Sequence, residues 1–402
     1  MRTPTFWVGM VALALTVSAC STADLAEEST TPLDAEIAPA NGEIIPGQYI
    51  VVLKPDAAAG KTMRDLVDSF ESMPGIDMEH KYLHSIAGFS GRLTTSAVNA
   101  LHSDPAVDYI EEDRWVSLPP FTSQGLCDRK PNHPNCTDGG GGDDGDGTST
   151  QSLPWGIDRV GGAADGSSAG KAWVLDSGVD LDHPDLNVDT GLSRSFLGGK
   201  QANNPDDQNG HGTHVAGTIA AINNTQGVVG VAAGATVVSV RVLDRRGSGS
   251  YSGVIAGINY VGATGSNGDV ANMSLGGGFS QAVNDAVSGA SGAVKFFLAA
   301  GNESQDTNNV SPGSANGPNI WTICATANDQ DAWASYSNYG SPVDYCEPGS
   351  GIESTWKNGG YNTISGTSMA TPHAAGIALL GPINNGGSVT GPDLISYTIG
   401  VR

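Results

Sequence analysis

The hydrophobic pattern of the first part of the chain predicts a small α+β unit. Apolar segments, rich in β-branched residues at 48–53, predict strands at 48–53, 80–83, 88–93 and 107–113, and helices are predicted at 61–70, by helical spacing, and at 96–102. The order β-α-β-β-α-β is that of a ferredoxin-like unit. We therefore predict one folded unit over residues 45–118.

From residue 151 onward, near-continuous apolar strands alternate with helices. Strands are predicted at 171–175, 236–243, 270–275, 294–299, 321–325 and 343–346, and helices at 212–222, 252–261, 280–288 and 369–380. Strands that are apolar on both faces indicate a parallel sheet covered by helices on both sides. The predicted fold class of residues 151–402 is α/β, with functional groups at the carboxyl ends of the strands.

The first 20 residues carry a different pattern. Arg2 precedes an apolar run at 7–17 that is too short to span a bilayer, which predicts an export signal. Residues 17–20, Val-Ser-Ala-Cys, resemble a bacterial lipoprotein box in which Cys20 becomes a lipid anchor. Ordinary signal cleavage, for example after Ala23, is the alternative. We expect a secreted protein, with or without this anchor.

Two further stretches lack a hydrophobic pattern. Residues 21–44 are polar and acidic and are interpreted as a flexible spacer. Residues 119–150 contain a Gly/Asp-rich run and are interpreted as a linker. With 42 acidic and 19 basic residues, the net charge is −23, which argues against nucleic acid as a partner. No later stretch is apolar enough for a transmembrane segment, and we expect a monomer.

The cysteine count supports an exported protein. If Cys20 is lipidated or removed, four cysteines remain, and an even number in an exported chain predicts two disulfides. The local pairing joins Cys127 with Cys136 and Cys324 with Cys346, although four cysteines allow three pairings.

Three polar residues are placed where a parallel sheet collects its chemistry. Asp176 follows a predicted strand, His211 opens a predicted helix, and Ser368 precedes another. Nucleophilic acyl transfer needs these types, since histidine takes the serine proton and a carboxylate supports the imidazolium. Singly, each has a plainer interpretation as a turn residue or helix cap. Together they favour a catalytic triad.

The segments around these residues carry a family resemblance. Asp176-Ser-Gly-Val-Asp, His211-Gly-Thr-His-Val-Ala-Gly and Gly366-Thr-Ser-Met-Ala-Thr-Pro-His resemble the three signatures of the subtilisin-like serine proteases, and the proteinase K group is the most similar branch. The resemblance covers nearly all of residues 153–380. Residues 45–117 resemble the inhibitory propeptide of the same family. The implied fold is a subtilisin-like sheet, and the implied activity is that of a self-processed serine endopeptidase for protein and peptide substrates.

The resemblance also implies roles for individual residues. Asn302 would complete an oxyanion hole with the backbone N–H of Ser368. A peptide would add as a strand between two edges, and small uncharged walls would accept an apolar or aromatic residue before the scissile bond. The residues implied to bind substrate are Leu243, Ser248, Gly249, Tyr251, Ser274, Leu275, Gly276, Ala299, Ala300, Gly301 and Gly313.

Catalysis by this family needs no cofactor, but structural calcium is implied. Asp344 matches a family calcium ligand by its motif, and Asp206 and Asp207 are weaker candidates. The first propeptide cut is expected near Leu118, with a cut near Thr150 as the alternative. Two other functions remain open at this point: a catalytically silent fold that serves as a binding module, and a lipid-tethered surface protein.

Overall fold

The computed structural model describes Met1 and residues 39–58, 60–118 and 151–402, and those from Pro39 onward belong to one compact unit, Ala38–Arg402. The predicted export signal, Cys20, Cys127, Cys136 and the linker lie outside the described residues. The domain boundaries stated above therefore stay predictions.

The N-terminal unit, residues 44–118, has the predicted order of elements. Its elements are β1 (Ile44–Leu53), α1 (Met63–Glu71), β2 (Ile76–Tyr82), β3 (Gly88–Leu93), α2 (Thr95–His102) and β4 (Val107–Ser117). The antiparallel strand order β4-β1-β3-β2 is that of a ferredoxin-like sheet, so the prediction is confirmed. Helix α1 begins at Thr62 with a capping box, in which Thr62 and Asp65 satisfy each other's backbone N–H.

The main domain, residues 151–402, is built on one ten-stranded sheet. Its path runs β20-β21-β17-β16-β14-β12-β6-β10-β7, and β8 also pairs with β10. All pairs in it are parallel except β20 with β21. These strands are β6 (Ala172–Asp176), β7 (Asn187–Val188), β8 (Arg194–Ser195), β10 (Thr236–Arg241), β12 (Val270–Met273), β14 (Lys295–Ala299), β16 (Ile320–Thr326), β17 (Val343–Pro348), β20 (Asn384–Thr390) and β21 (Ser396–Val401).

Helices cover both faces of this sheet, as predicted. They are α3 (Trp155–Arg159), α4 (His211–Ala220), α5 (Tyr251–Thr264), α6 (Gln281–Ala290) and α7 (Thr367–Leu380), with 3-10 turns at Gly199–Gln201 and Thr307–Asn309. Side chains alternate along β6: Trp173 and Leu175 pack in one buried cluster with α5 and α6, whereas Val174 packs in another with α4 and α7.

Several short strands lie outside the main sheet. They are β5 (Ala164–Asp165), β9 (Ala232–Ala233), β11 (Ser248–Ser250), β13 (Gly277–Gly278), β15 (Val310–Ser311), β18 (Ile352–Trp356) and β19 (Gly360–Ile364). The sequence did not predict the β18–β19 hairpin, nor the final hairpin β20–β21 that extends the main sheet beside β17. Cys324 and Cys346 face each other across β16 and β17 and form the predicted disulfide.

The N-terminal unit docks on the main domain through two surfaces. Strand β4 pairs antiparallel with β11, so that the small sheet gains a fifth strand from the main domain. One face of the small sheet packs on its own helices, and residues of the other face, including Ile50 and Val52, join the buried cluster that contains α5 and α6. Both faces of the small sheet are therefore buried.

Candidate active site

Asp176 and His211 are in direct contact beneath the surface. Nδ1 of His211 lies 2.8 Å from Oδ1 and 2.9 Å from Oδ2 of Asp176, and the two residues are 2% and 0% exposed. The backbone N–H of Ser177 donates to Oδ1 of Asp176 at 2.7 Å. With Nδ1 beside a carboxylate, Nε2 is the ring nitrogen that can accept a proton.

A glycine permits this contact. Gly212 follows His211, and a Cβ atom on it would lie 2.1 Å from the carbonyl oxygen of Gly178 and 3.0 Å from Cβ of Asp176. Helix α4 could not begin so close to the end of β6 with any larger residue at this position. Steric contact with Gly178 therefore explains why glycine follows histidine in this motif.

Ser368 is the second residue of α7 and does not cap the helix. The N-cap position belongs to Gly366, which makes no side-chain cap. The Ser368 hydroxyl donates to the carbonyl oxygen of Ser274 at 3.0 Å, and the Ser274 hydroxyl donates back to the carbonyl oxygen of Ser368 at 2.8 Å. Asn272 donates to the Ser274 hydroxyl at 2.8 Å. Helices α4 and α7, whose first turns carry His211 and Ser368, pack against each other.

Asn302 lies beside the first turn of the same helix. Its Oδ1 accepts from the backbone N–H of Thr367 at 2.8 Å and from the Thr367 hydroxyl at 3.1 Å. A Cβ atom on Gly366 would lie 3.6 Å from the backbone nitrogen of Ser368 and 3.7 Å from Nδ2 of Asn302. The absence of a side chain at Gly366 leaves room beside these two donors. Backbone and side-chain N–H groups are the types of donor that an oxyanion hole uses.

The last strand of the N-terminal unit lies in the cleft. Ser117, Val116 and Trp115 pair with Ser248, Gly249 and Ser250, and the backbone N–H of Leu118 donates to the carbonyl oxygen of Gly247 at 2.8 Å. Val116 is fully buried in a cluster with the predicted subsite residues Leu243, Tyr251 and Leu275.

Asn41 joins this strand to the second edge of the cleft. Its Nδ2 donates to the carbonyl oxygen of Gly276 at 3.3 Å, and its Oδ1 accepts from the backbone N–H of Ser117 at 3.3 Å. Residue 41 falls in the segment predicted to be a spacer, so this contact was not anticipated.

Two carboxylates of β4 accept hydrogen bonds from helix beginnings of the main domain. Asp113 accepts from the backbone N–H of Ser252 at 3.1 Å and from its hydroxyl at 2.5 Å, in the first turn of α5. Glu111 accepts from the backbone N–H of Ala282 at 3.1 Å, in the first turn of α6. Burial raises the pKa of Asp113 to about 6, although the hydrogen bonds from Ser252 act in the opposite direction.

A cavity of about 460 Å³ lies between these edges. Ser368 and Asn302 are in its wall, and so are five of the predicted substrate-binding residues: Ser274, Leu275, Gly276, Ala299 and Gly301. Ala300 instead packs with Cys324 and Cys346, and the carbonyl oxygen of Gly313 accepts from the Thr322 hydroxyl. Glu303 also lines the cavity, and sequence reasoning missed it. Its Oε2 accepts from the backbone N–H of Asn302 and from Asn338.

The predicted calcium ligands lie in other surroundings. Asp344 accepts from the backbone N–H of Thr322 at 2.8 Å, and burial raises its pKa. Among the described residues, no group of three or more acidic, histidine or cysteine side chains could hold a metal ion. Calcium takes about six to eight oxygen ligands, so Asp344 alone makes a poor site. Its role as a ligand stays a prediction.

A better set of oxygen atoms surrounds Gln151. An amide nitrogen has two hydrogens, yet four oxygen atoms lie within 3.4 Å of its Nε2. They are the carbonyl oxygens of Ile222, Gln226 and Val228 and the side-chain oxygen of Asn224. The buried carboxylate of Asp185 contacts Asn224 and Val228. Carbonyl and amide oxygens with a carboxylate nearby are the types of ligand that calcium prefers.

These features define a class of protein: a serine hydrolase with a parallel sheet, whose cleft holds a strand of the same chain. Residues 172–381 match the model of the Subtilase family, and residues 48–119 match that of Peptidase inhibitor I9. The chain therefore belongs to the subtilase family and is a subtilisin-like serine protease with an inhibitor propeptide. The predicted family, fold and enzyme class are confirmed.

Named relatives agree with this. "Alkaline serine exoprotease A" of Vibrio alginolyticus is 40% identical over 373 residues, which span 87% of this chain and 63% of that protein. "Cuticle-degrading protease" of Metarhizium anisopliae is 36% identical over 83% of this chain and 79% of its own. "Crystal structure of a cold adapted subtilisin-like serine proteinase" matches with 45% identity and a TM-score of 0.50, over 56% of this chain and 83% of that one. No helix of the described residues is long and apolar enough to cross a membrane.

Proposed function

We propose that Asp176, His211 and Ser368 are the catalytic triad of a secreted endopeptidase, with Asn302 in its oxyanion hole. The observation that carries the proposal is the buried contact of 2.8 Å between Asp176 and His211. The helix that carries His211, α4, packs against α7, which carries Ser368. All four residues would have to be present for activity, and they are, which disfavours a silent binding module.

In the proposed reaction, the Ser368 hydroxyl attacks the peptide carbonyl while Nε2 of His211 takes its proton. The carboxylate of Asp176 stabilises the imidazolium. The backbone N–H of Ser368 and the side-chain amide of Asn302 donate hydrogen bonds to the oxyanion. His211 then protonates the leaving amine as the carbon–nitrogen bond breaks, which leaves an acyl-enzyme. Water, deprotonated by His211, attacks the ester and restores the Ser368 hydroxyl.

Substrate would take the place of the propeptide strand. Residues Ser248–Ser250 offer backbone groups to β4, and a substrate strand would use the same groups. The walls consist largely of small uncharged residues, which favour a bulky apolar or aromatic residue before the scissile bond, although Glu303 and Arg246 also line the cavity. Peptides with Phe or Leu at that position should be cleaved faster than those with Arg or Asp. A tenfold preference for Arg would contradict the apolar pocket.

The self-processing step tests the nucleophile. In a protease-free host, Ser368→Ala should accumulate as a full-length precursor, because no other group can form the acyl-enzyme. Ser365→Ala, three residues earlier, is the matched control and should be processed normally. Intact mass and N-terminal sequencing of both products would place the cut near Leu118 or Thr150 and would reveal any lipid on Cys20. Normal processing of Ser368→Ala would refute the assignment.

Calcium is proposed as a structural ion rather than a catalytic one. The oxygens around Gln151, with Asp185 beside them, would hold it, and it would tie the start of the main domain to the loop at 222–228. Chelation with EDTA should lower the Tm of the wild type by several degrees. Asp185→Asn should have a lower Tm that EDTA changes little, whereas an equal EDTA effect on both proteins would exclude this site.

A further inference from the structure

We propose that Asp207 is a positioning residue that sets the distance between Asp176 and His211. The proposal rests on the proposed function, since it concerns the same triad. Asp207 is not among the residues that line the substrate cavity. It acts through the two chain segments that carry Asp176 and His211.

The carboxylate of Asp207 accepts five hydrogen bonds while only 5% exposed. Oδ1 accepts from the Ser177 hydroxyl at 3.0 Å and from the backbone N–H groups of Asn209 and Gly210 at 2.8 and 2.9 Å. Oδ2 accepts from the backbone N–H and the hydroxyl of Thr213 at 3.0 and 2.6 Å. Donors therefore surround both oxygens, and they leave little room for the cation that the sequence suggested.

These donors flank the two members of the catalytic pair. Ser177 directly follows Asp176, whereas Asn209, Gly210 and Thr213 surround His211 at the start of α4. A single carboxylate thus joins the end of β6 to the beginning of α4. Because the helix beginning carries a partial positive charge, a buried anion is favoured there.

Ser177 completes the connection. Its hydroxyl donates to Asp207 and accepts from the backbone N–H of Gly212 at 3.0 Å, while its own N–H donates to Asp176. The hydroxyl proton is therefore committed to Asp207. The two carboxylate oxygens of Asp176 contact the backbone N–H of Ser177 and Nδ1 of His211.

Arg241 supports the loop that presents Asp207. This guanidinium is fully buried in β10, the neighbour of β6, and it donates to the carbonyl oxygens of Asn204 and Asp206 at 3.1 and 2.8 Å. The positive charge lies near enough to Asp207 to act on it electrostatically. Asp207 is therefore not an isolated buried charge, because its loop is hydrogen-bonded to a buried cation.

Asp207→Asn in the full-length, self-processing chain tests the proposal. The new amide presents an NH₂ group to N–H and O–H donors, so one segment must move. We expect kcat to fall about 10- to 100-fold with KM within about twofold, because a shift of about 1 Å in a catalytic group can cost a factor on the order of 10². The matched control is Asp158→Asn, which removes the same charge at an exposed position of α3 and should stay within about twofold of wild type.

The pH profile separates positioning from mere stability. Loss of the anion should move the acid limb of the kcat/KM profile to lower pH, because a nearby negative charge favours the protonated form of a catalytic base. A purely structural role would lower Tm and leave that limb in place. A folded Asp207→Asn enzyme with wild-type kcat and acid limb would overturn the proposal.

Two milder variants decide the matter if Asp207→Asn does not fold. Ser177→Ala and Thr213→Val each remove one hydroxyl donor, and each should lower kcat about three- to tenfold, the worth of one hydrogen bond to a charged group at the low end. Wild-type kcat in both would also overturn the proposal. Ser368→Ala, run in parallel, distinguishes the failures: if it keeps self-processing, the proposed function fails instead.

Discussion

Asp207 and Asp113 are both buried carboxylates that accept hydrogen bonds at the beginning of a helix, but they belong to different parts of the molecule. Asp207 lies within the main domain and accepts from the segments around His211. Asp113 lies on the propeptide and accepts from Ser252 at the start of α5. In the proposed maturation, the first contact would persist in the mature enzyme, whereas the second would be lost with the propeptide.

The difference lies in how completely each anion is satisfied. Asp207 has five donors, whereas Asp113 has three, two from Ser252 and one from the backbone N–H of Arg114. The remaining desolvation cost raises the pKa of Asp113 to about 6. If the propeptide is released as proposed, the carboxylate with fewer donors is the one whose contact would be broken.

Asn302→Ala should show the largest difference between an effect on turnover and an effect on inhibition by the propeptide. Turnover should fall about 10²- to 10³-fold, a magnitude established on subtilisin itself for the loss of one oxyanion donor. Inhibition by the propeptide should change less than about twofold, since its contacts with β11, α5 and α6 are untouched. Asn203→Ala, an exposed control, should alter neither. Equal losses of turnover and inhibition would mean that Asn302 supports the cleft as a whole.

Asp113→Ala should weaken inhibition by the propeptide and leave turnover unchanged, and its effect should be smaller than that of Asn302→Ala. Loss of a charge-assisted contact to Ser252 should weaken inhibition of the mature enzyme by residues 39–118 about 10- to 100-fold. Turnover of the mature enzyme cannot change, because the residue is no longer present. Asp108→Ala, exposed on the same strand, is the control. An inhibition constant within twofold of wild type would show that the contact contributes nothing.

The pH dependence of inhibition should show the smallest effect. Asp113 has a pKa of about 6 in the complex and an ordinary value of 3.8, so the complex binds the proton more tightly and loses affinity as pH rises through 6. From pH 5 to pH 7 this group alone should weaken inhibition about tenfold. Burial lowers the pKa of His80, which acts in the opposite direction.

Comparison with Asp113→Asn isolates the contribution of Asp113. Because His80 is present in both proteins, the ratio of their inhibition constants should carry the pH dependence of Asp113 alone. A ratio that stays constant between pH 5 and pH 7 would contradict the raised pKa.

Much of the fold could be predicted because its signals are local. The apolar runs of β6, β12 and β14 and the capping residues of α1 depend on neighbours within a few positions. The final hairpin was harder to predict, because β21 joins the main sheet by pairing with β17, about fifty residues earlier.

The same limit applies to the site. Asp176, His211 and Ser368 stand out by their motifs, and their roles stay a proposal. Nothing near Asp207 in the sequence shows that Ser177, thirty residues away, donates to it. Likewise, Glu111 and Asp113 find their partners at the starts of helices more than a hundred residues later.

Because β4 pairs with β11, the protein concentration would determine how often the cleft is blocked once the chain is cut. While the chain is intact, this strand is held at the cleft at an effective concentration on the order of millimolar, whatever the abundance of the protein. After the proposed first cut, the same strand would become an ordinary ligand, and its occupancy would depend on the concentration of the protein. Dilution into the surroundings would then release the enzyme, whereas crowding would keep it silent.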